Sequence, residues 1–197
     1  IKSVNIDLIY GLPLQTPKTF AQTLKNALEL NPDRIALFGY AHVPWVKPAQ
    51  KSLEQWAIPT SDEKAQLFLE GKSAFENAGY EFIGLDHFAK PDDKLIEARR
   101  NGTLHRNFQG YSTHAGIDLF AVGLTSISET KTSYRQNCKA MPDYKKAVED
   151  GILPIEKGIV LNSEDILRRA VIMDIMCALK VNYGNYGVDF PKKFAEA

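Results

Sequence analysis

Four short stretches combine side chains able to bind or react with a ligand. Asp7 stands inside Asn5-Ile-Asp-Leu-Ile-Tyr, an apolar run with strand character. A carboxylate held there must be met by donors or by a ligand, because an unpaired charge away from water is costly. Tyr40-Ala41-His42 closes a second apolar run. Its histidine can act as a base or a ligand, or be hydrogen-bonded for structure alone, and the small Ala41 lets backbone approach a bound group closely. Asp86-His87-Phe88 ends a third apolar run in the same way. The densest run is His105-Arg106-Asn107-Phe108-Gln109-Gly110-Tyr111. It offers a guanidinium shaped for a carboxylate, amides and two aromatic faces; the plainer reading is a polar loop packed on its neighbours.

Several other chemistries lack their parts. Cys138 and Cys177 lie far apart with no partner motif around either, and the four histidines include no His-x-x-x-His spacing. Neither a self-contained metal site nor a disulfide framework is expected. No Gly-x-Gly-x-x-Gly follows a strand, and there is no phosphate loop and no Gly-x-Ser-x-Gly elbow.

The elements that must hold these residues follow from the apolar spacing. Asn5 to Tyr10 alternates as a strand, with Ile6, Leu8 and Tyr10 on one face and Asn5, Asp7 and Ile9 on the other. The apolar face should meet helices, which sends Asp7 to the opposite side. Thr16 can cap a helix with Pro17 at its first position, and Phe20, Leu24, Ala27 and Leu28 share one helical face. Arg34 to Tyr40 is the next strand. Thr60 with Glu63 marks a second helix start, running to Gly79, and Tyr80 to Leu85 is a third strand. Two such β-helix-β passages predict a parallel sheet covered by helices, open or rolled into a barrel. Beyond Pro91 come a charged helix from Asp92 to Arg100, the polar and aromatic stretch, a short helix over Pro142 to Asp150, and a long apolar helix from Glu164 to Val181 capped by Ser163. That last helix is expected to be buried on most sides.

At 197 residues and 44% hydrophobic, the chain can bury a substantial core. Its 24 basic and 24 acidic residues cancel, so no global field draws it to nucleic acid or an anionic membrane. No apolar run approaches the ~18 residues of a spanning helix. A cytoplasmic setting is expected. The chain enters a strand almost at once and leaves during a new element, which suggests a segment of a longer protein.

Taken together, Asn5-Ile-Asp-Leu-Ile-Tyr-Gly-Leu-Pro-Leu-Gln-Thr, Phe38-Gly-Tyr-Ala-His-Val-Pro, Gly84-Leu-Asp-His-Phe-Ala-Lys-Pro-Asp-Asp and Leu104-His-Arg-Asn-Phe-Gln-Gly-Tyr-Ser-Thr resemble the oxygen-independent coproporphyrinogen III oxidases, radical S-adenosylmethionine (SAM) enzymes of haem biosynthesis. The likeness continues through Asp118-Leu-Phe-Ala-Val-Gly-Leu-Thr-Ser-Ile-Ser to the helix at Glu164. It implies an α/β fold, the C-terminal part of a (β/α)6 three-quarter barrel followed by the start of a mostly helical domain. Residues 1–90 would be the last barrel strands and helices, 91–161 a barrel-covering loop and extension, and 162–197 the start of the helical domain. The family's cysteine triad for a [4Fe-4S] cluster would lie outside this chain, and no metal ligand is expected within it.

By position, Asp7 and Ala41 look like residues bordering a second SAM molecule, Phe108 and Gln109 fall where the family's loop meets it, and Ile127 looks like a contact of the cluster-bound SAM. Read from the residues alone, Ile127 is only a core position. Arg106, and after it His105, are candidates for contacts to propionates. The implied activity of the full-length parent is conversion of two propionates of coproporphyrinogen III to vinyl groups, giving protoporphyrinogen IX, through a 5′-deoxyadenosyl radical. An electron donor and an electron acceptor are implied partners, with a monomeric parent, and the isolated segment is expected to be inactive. The rival is a radical-SAM-like haem chaperone. Those relatives carry Ser-Arg-His-Asn and then Tyr-Trp after Phe-Ala-x-Pro, whereas His105-Arg-Asn-Phe-Gln-Gly-Tyr stands here.

Overall fold

Alternation in the first strand sets the geometry of everything packed on it. The computed structural model describes residues 3–187 and 189–194 and divides into two units, up to Arg100 and from Asn101 onward. In the first unit, β1 (Asn5–Tyr10) exposes Asn5, Asp7 and Ile9 and turns Ile6, Leu8 and Tyr10 inward. Leu8 and Tyr10 pack against a core that includes Phe20, Leu24, Leu37, Phe75 and Phe88. Helix α1 (Pro17–Glu29) starts where Thr16 and Thr19 exchange capping bonds and Pro17 fills a position whose N–H needs no partner. It buries Phe20, Leu24 and Ala27. After Asn31, in the left-handed region at φ 49°, β2 (Arg34–Gly39) runs parallel to β1 with Ala36 opposite Asp7.

Helix α2 (Ser61–Asn77) is capped by Thr60 and Glu63, whose backbone and side chains bond reciprocally; the Thr60 amide holds the Glu63 carboxyl below its ordinary range. Gly71 lets this helix approach the sheet closely, since a Cβ there would sit 2.7 Å from Cδ2 of the fully buried Leu37.

The third strand departs from the expected pattern. β3 (Glu81–Gly84) ends at a two-residue turn in which Leu85 takes φ 52°, and β4 (His87–Ala89) doubles back antiparallel to it. The sheet order is β1-β2-β4-β3, with β4 wedged antiparallel between β2 and β3. The sheet is therefore mixed, and Asp86-His87-Phe88 forms a turn and a fourth strand instead of ending the third. Burial drives this: Phe88 and Ala89 are fully enclosed, with Phe88 opposite Ile35 and its ring 5.1 Å from that of Phe75. Leu85 lacks the Asn-Gly chemistry that announces such a turn. Helix α3 (Lys94–Arg100) packs on β3 and stays with this unit, whereas the sequence places the change of character after residue 90.

The second unit opens with a hairpin, β5 (His105–Asn107) and β6 (Gly110–Ser112), with Phe108 and Gln109 at its tip. A three-stranded antiparallel sheet follows, β7 (Ile127–Glu129), β8 (Ser133–Asn137) and β9 (Ile155–Val160), in that order, with α4 (Met141–Glu149) between the last two. Helix α5 (Ser163–Ala178) is capped by Asn162 in a reciprocal pair with Asp165 and stops where Leu179 turns left-handed at φ 56°. Ser163 is thus the first helical residue, and the helix ends short of Val181. It is also less buried than its composition implies: Val171 and Cys177 are enclosed, while Ile172 and Ile175 are 51% and 52% exposed. A 3-10 turn over Tyr183–Tyr186 and α6 (Phe190–Lys193) complete the described chain.

Two outcomes follow for stability. Alanine at position 71 brings about 1 kcal/mol of helix propensity, but overpacking against Leu37 costs on the order of 1–3 kcal/mol. Gly71→Ala therefore lowers the thermal midpoint; a rise would show that the core is looser than described. The Val4 amide, donating at 2.7 Å, holds the Asp33 carboxyl below its ordinary range, helped by Lys90. A depressed carboxyl adds stability that is present above its unfolded value of about 4 and is lost as pH falls through the folded value. In denaturant titrations, Asp33→Asn should be less stable than the parent at neutral pH, and the two should converge below about pH 4.

Candidate functional site

At the carboxyl ends of β1 and β2, the loops are tied down by side chains from several elements. The Gly11 N–H donates to Gln15 Oε1 at 2.6 Å, and Gln15 Nε2 donates to the Ile9 carbonyl at 3.3 Å. Gly11 sits at φ 77°, and the Lys64 stem crosses it: a Cβ there would come within 2.8 Å of Lys64 Cγ. The Lys64 ammonium reaches the Tyr40 carbonyl at 3.1 Å and lies 5.6 Å from the centre of the Tyr40 ring. Gln50 clamps the next loop, accepting from the Val43 N–H at 2.7 Å and donating to the Ala41 carbonyl at 3.0 Å.

Asp7 turns away from the helices, as strand alternation requires. It is exposed, however, and not enclosed. Its Oδ1 accepts from Asn5 Nδ2 at 2.6 Å, so the donor it needs comes from the same strand. Ala41 is exposed and lies two residues beyond the end of β2, the strand on which Ala36 is the ladder partner of Asp7. The same unit carries two acid–histidine pairs, one in the loop after β2 and one at the turn into β4. His42 Nδ1 lies 3.2 Å from the Tyr40 hydroxyl and its Nε2 3.2 Å from Glu54 Oε1. Asp86 Oδ1 lies 2.6 Å from His87 Nδ1. Burial first, and the Asp86 charge after it, push the Tyr10 hydroxyl above its ordinary range.

In the second unit, Phe108 and Ile127, far apart in sequence, line one cavity of about 290 Å³ together with Tyr134 and Gly158. The Phe108 ring is 58% exposed and meets the Tyr134 ring edge-on, with centres 5.5 Å apart. Gly158 keeps the back wall thin: a Cβ would lie 3.0 Å from the Tyr134 carbonyl oxygen. Gln109 is exposed at the hairpin tip, where its N–H donates to Asn107 Oδ1 at 2.9 Å. His105 and Arg106 line different cavities, of about 240 and 580 Å³. Burial also raises the Tyr134 hydroxyl above its ordinary range.

Tyr134, Gly158, Gln50 and Glu54 carry this geometry and were not legible as site residues. Tyr134 and Gly158 sit on strands whose mixed polarity gives no period-2 signal, and Gln50 and Glu54 act across a loop from residues they do not adjoin in sequence. Among the described residues, no three His, Cys, Asp or Glu side chains converge as a metal site. No helix among them is long and apolar enough to cross a membrane.

The His42 contacts fit one tautomer: a proton on Nε2 directed at the Glu54 carboxylate, with Nδ1 accepting from the Tyr40 hydroxyl. Nitrogen-15 shifts of the neutral ring should show Nε2 protonated and Nδ1 bare. The reverse pattern would place a lone pair against the Glu54 carboxylate and would remove this arrangement.

Comparison with known proteins gives consistent relatives. The chain is 48% identical over 180 residues to an oxygen-independent coproporphyrinogen III oxidase of Synechocystis, covering 91% of this chain and 39% of that protein. It is 42% identical over 198 residues to the Escherichia coli protein of the same description, covering 98% and 43%, and 44% identical over 199 residues to that of Thermostichus vulcanus, covering 98% and 61%. The solved coproporphyrinogen III oxidase of Escherichia coli, described as a radical SAM enzyme, superposes with a TM-score of 0.90 at 42% identity, over 99% of this chain and 46% of that one. The chain thus spans from two fifths to three fifths of the length of these relatives. No family model matches it.

Proposed function

We propose that this chain, homologous over nearly its whole length to part of the oxygen-independent coproporphyrinogen III oxidases, supplies part of the site at which the full-length protein oxidises coproporphyrinogen III. The observation that carries the reading is the pairing of 41–48% identity across the chain with the same fold in a solved radical SAM oxidase. In the reaction, each of two propionates loses one hydrogen atom from the carbon next to the ring, then carbon dioxide and one electron. A vinyl group remains, and the electron passes to an acceptor. SAM with a [4Fe-4S] cluster would supply the radical that removes the hydrogen atom. Two cysteines cannot provide the three thiolates such a cluster takes, so the cluster would be held by residues outside this chain.

The residues of this chain would bind and orient. In the first unit, the Asp7 carboxylate, with one oxygen already taken by Asn5, has acceptor capacity left for ammonium or hydroxyl donors of the second SAM, and the small Ala41, past the end of β2, leaves room for it. In the second, the exposed Phe108 face suits an adenine ring of the second SAM, with the Gln109 amide at the hairpin tip for polar contact, and Ile127, which lines a cavity with Phe108, is the proposed contact of the cluster-bound SAM. Arg106 and His105 are the proposed propionate contacts. An electron donor, a monomeric parent and a cytoplasmic setting belong to the same reading.

The full-length protein, reduced and loaded with iron, sulfide and SAM without oxygen, should convert coproporphyrinogen III to protoporphyrinogen IX. Phe108→Ala should lower turnover roughly 10-fold or more through loss of a stacking face. Stoichiometric haem binding with no decarboxylation would replace this reading by the chaperone one. The 197-residue chain alone should show no cluster absorbance and no SAM cleavage.

A further inference from the structure

Strand β5 directs neighbouring side chains to opposite sides, so His105 and Arg106 cannot serve one ligand in the same way. His105 lines the smaller cavity with Glu129 and Lys131. Arg106 lines the larger one, about 580 Å³, where its Nη1 is buried without a hydrogen-bond partner. Its Cζ lies 4.8 Å from the centre of the Tyr111 ring, which holds the guanidinium plane in place. A guanidinium does not shed its proton, and a buried charge without a counterion is expensive. What fits the vacancy in its hydrogen bonding is an anion with two coplanar oxygens.

The other charged groups in that wall are engaged. Arg169 donates to the carbonyls of Thr130 and Lys131 at 3.0 and 2.6 Å, and Arg168 pairs with Glu164 at 2.9 Å. Glu129 accepts from the Tyr134 hydroxyl at 3.3 Å, and Asp165 accepts from the Asn162 amide at 3.1 Å. The remaining surface is apolar and aromatic, with Ile159, Ile172 and Met176 beside Phe108. A cavity of this size and character takes a carboxylate carried at the rim of a large apolar body.

We propose, resting on the function proposed above, that Arg106 grips a propionate that the reaction leaves intact. A carboxylate paired with a partly buried guanidinium is stabilised as an anion. Turning that group into a vinyl would carry its charge away as one electron leaves with carbon dioxide, and would strand Arg106 without a counterion. Pairing of this kind favours the ground state over the transition state for carbon dioxide loss. Arg106 is therefore a specificity-determining residue: it fixes which edge of the macrocycle stays in the pocket and which edge faces the chemistry.

Porphyrin fluorescence titrations of the full-length protein test this. Coproporphyrin III and protoporphyrin IX both carry the two retained propionates, and only the first carries the reacting pair. The dimethyl ester of protoporphyrin IX carries no charge. Arg106→Gln should weaken both acids by the same factor, roughly 10- to 100-fold for a lost charge-assisted pair, and leave the ester unchanged, which also shows that the variant is folded. Arg106→Lys should recover part of the loss. Ile172→Trp, at a half-exposed position on the cavity wall, should weaken all three by filling the space. In turnover, Arg106→Gln should raise KM for coproporphyrinogen III more than it lowers kcat. Weakening confined to coproporphyrin III would place a reacting propionate at Arg106 and overturn the proposal, as would no weakening of either acid. Failure of the broader reading is separate: the wild type would then bind the acids in an Arg106-dependent way yet convert no coproporphyrinogen III.

Discussion

The parallel ladder between β1 and β2 is the constraint on which the first unit depends. Pairing Asn5 through Tyr10 with Arg34 through Gly39 commits every second side chain of β1 to the helices and every other one to the open face. A slip of one residue would drive Asp7 toward the apolar core and leave Leu8 in water. The slip is prevented from both sides. Two capped helices lay Phe20, Leu24, Leu67 and Phe75 against Leu37, and the absence of a side chain at Gly71 brings α2 to within contact of the sheet. The polar face of β1 is a product of this apolar packing.

The second unit works on a different principle. It has less buried apolar surface and relies on polar anchors: Tyr111 donating to the Met176 carbonyl at 2.8 Å, Arg169 to the Thr130 and Lys131 carbonyls, and Asn137 to the Gly123 carbonyl at 2.9 Å. Such bonds fix register and direction while leaving room between elements. This is why cavities open between the β5–β6 hairpin, the three-stranded sheet and α5, and why an arginine can stand in one of them with an unsatisfied nitrogen. The half-exposed isoleucines of α5 fit the same pattern, since the helix is held by polar contacts through Arg169, Asp174 and the Met176 carbonyl and not by being enclosed.

What the sequence revealed followed local chemistry. The capping boxes at Thr16 and Thr60, the Pro17 start and the alternation of β1 are decided within four or five residues, and each stands where its spacing puts it. What it concealed depended on distant partners. The reversal at Leu85 is stabilised by Phe88 finding Ile35 and Phe75, which no local pattern announces. The hairpin at His105 hid in a stretch whose polar and aromatic residues look like a loop, and β8 and β9 hid because their exposed faces carry mixed polarity. Among the candidate residues, the orientation of Asp7 was legible, whereas its exposure, the meeting of Phe108 with Ile127 and the parting of His105 from Arg106 required the fold.

The lysine stem lying across Gly11 has one more implication. A single side chain rooted in α2 bridges the segment leaving β1 and the segment leaving β2, its methylenes filling the gap over one and its ammonium capping a carbonyl of the other. The two exits cannot swing apart independently, since either movement drags the same tether. The rim is thus braced by a side chain from a helix set back from it.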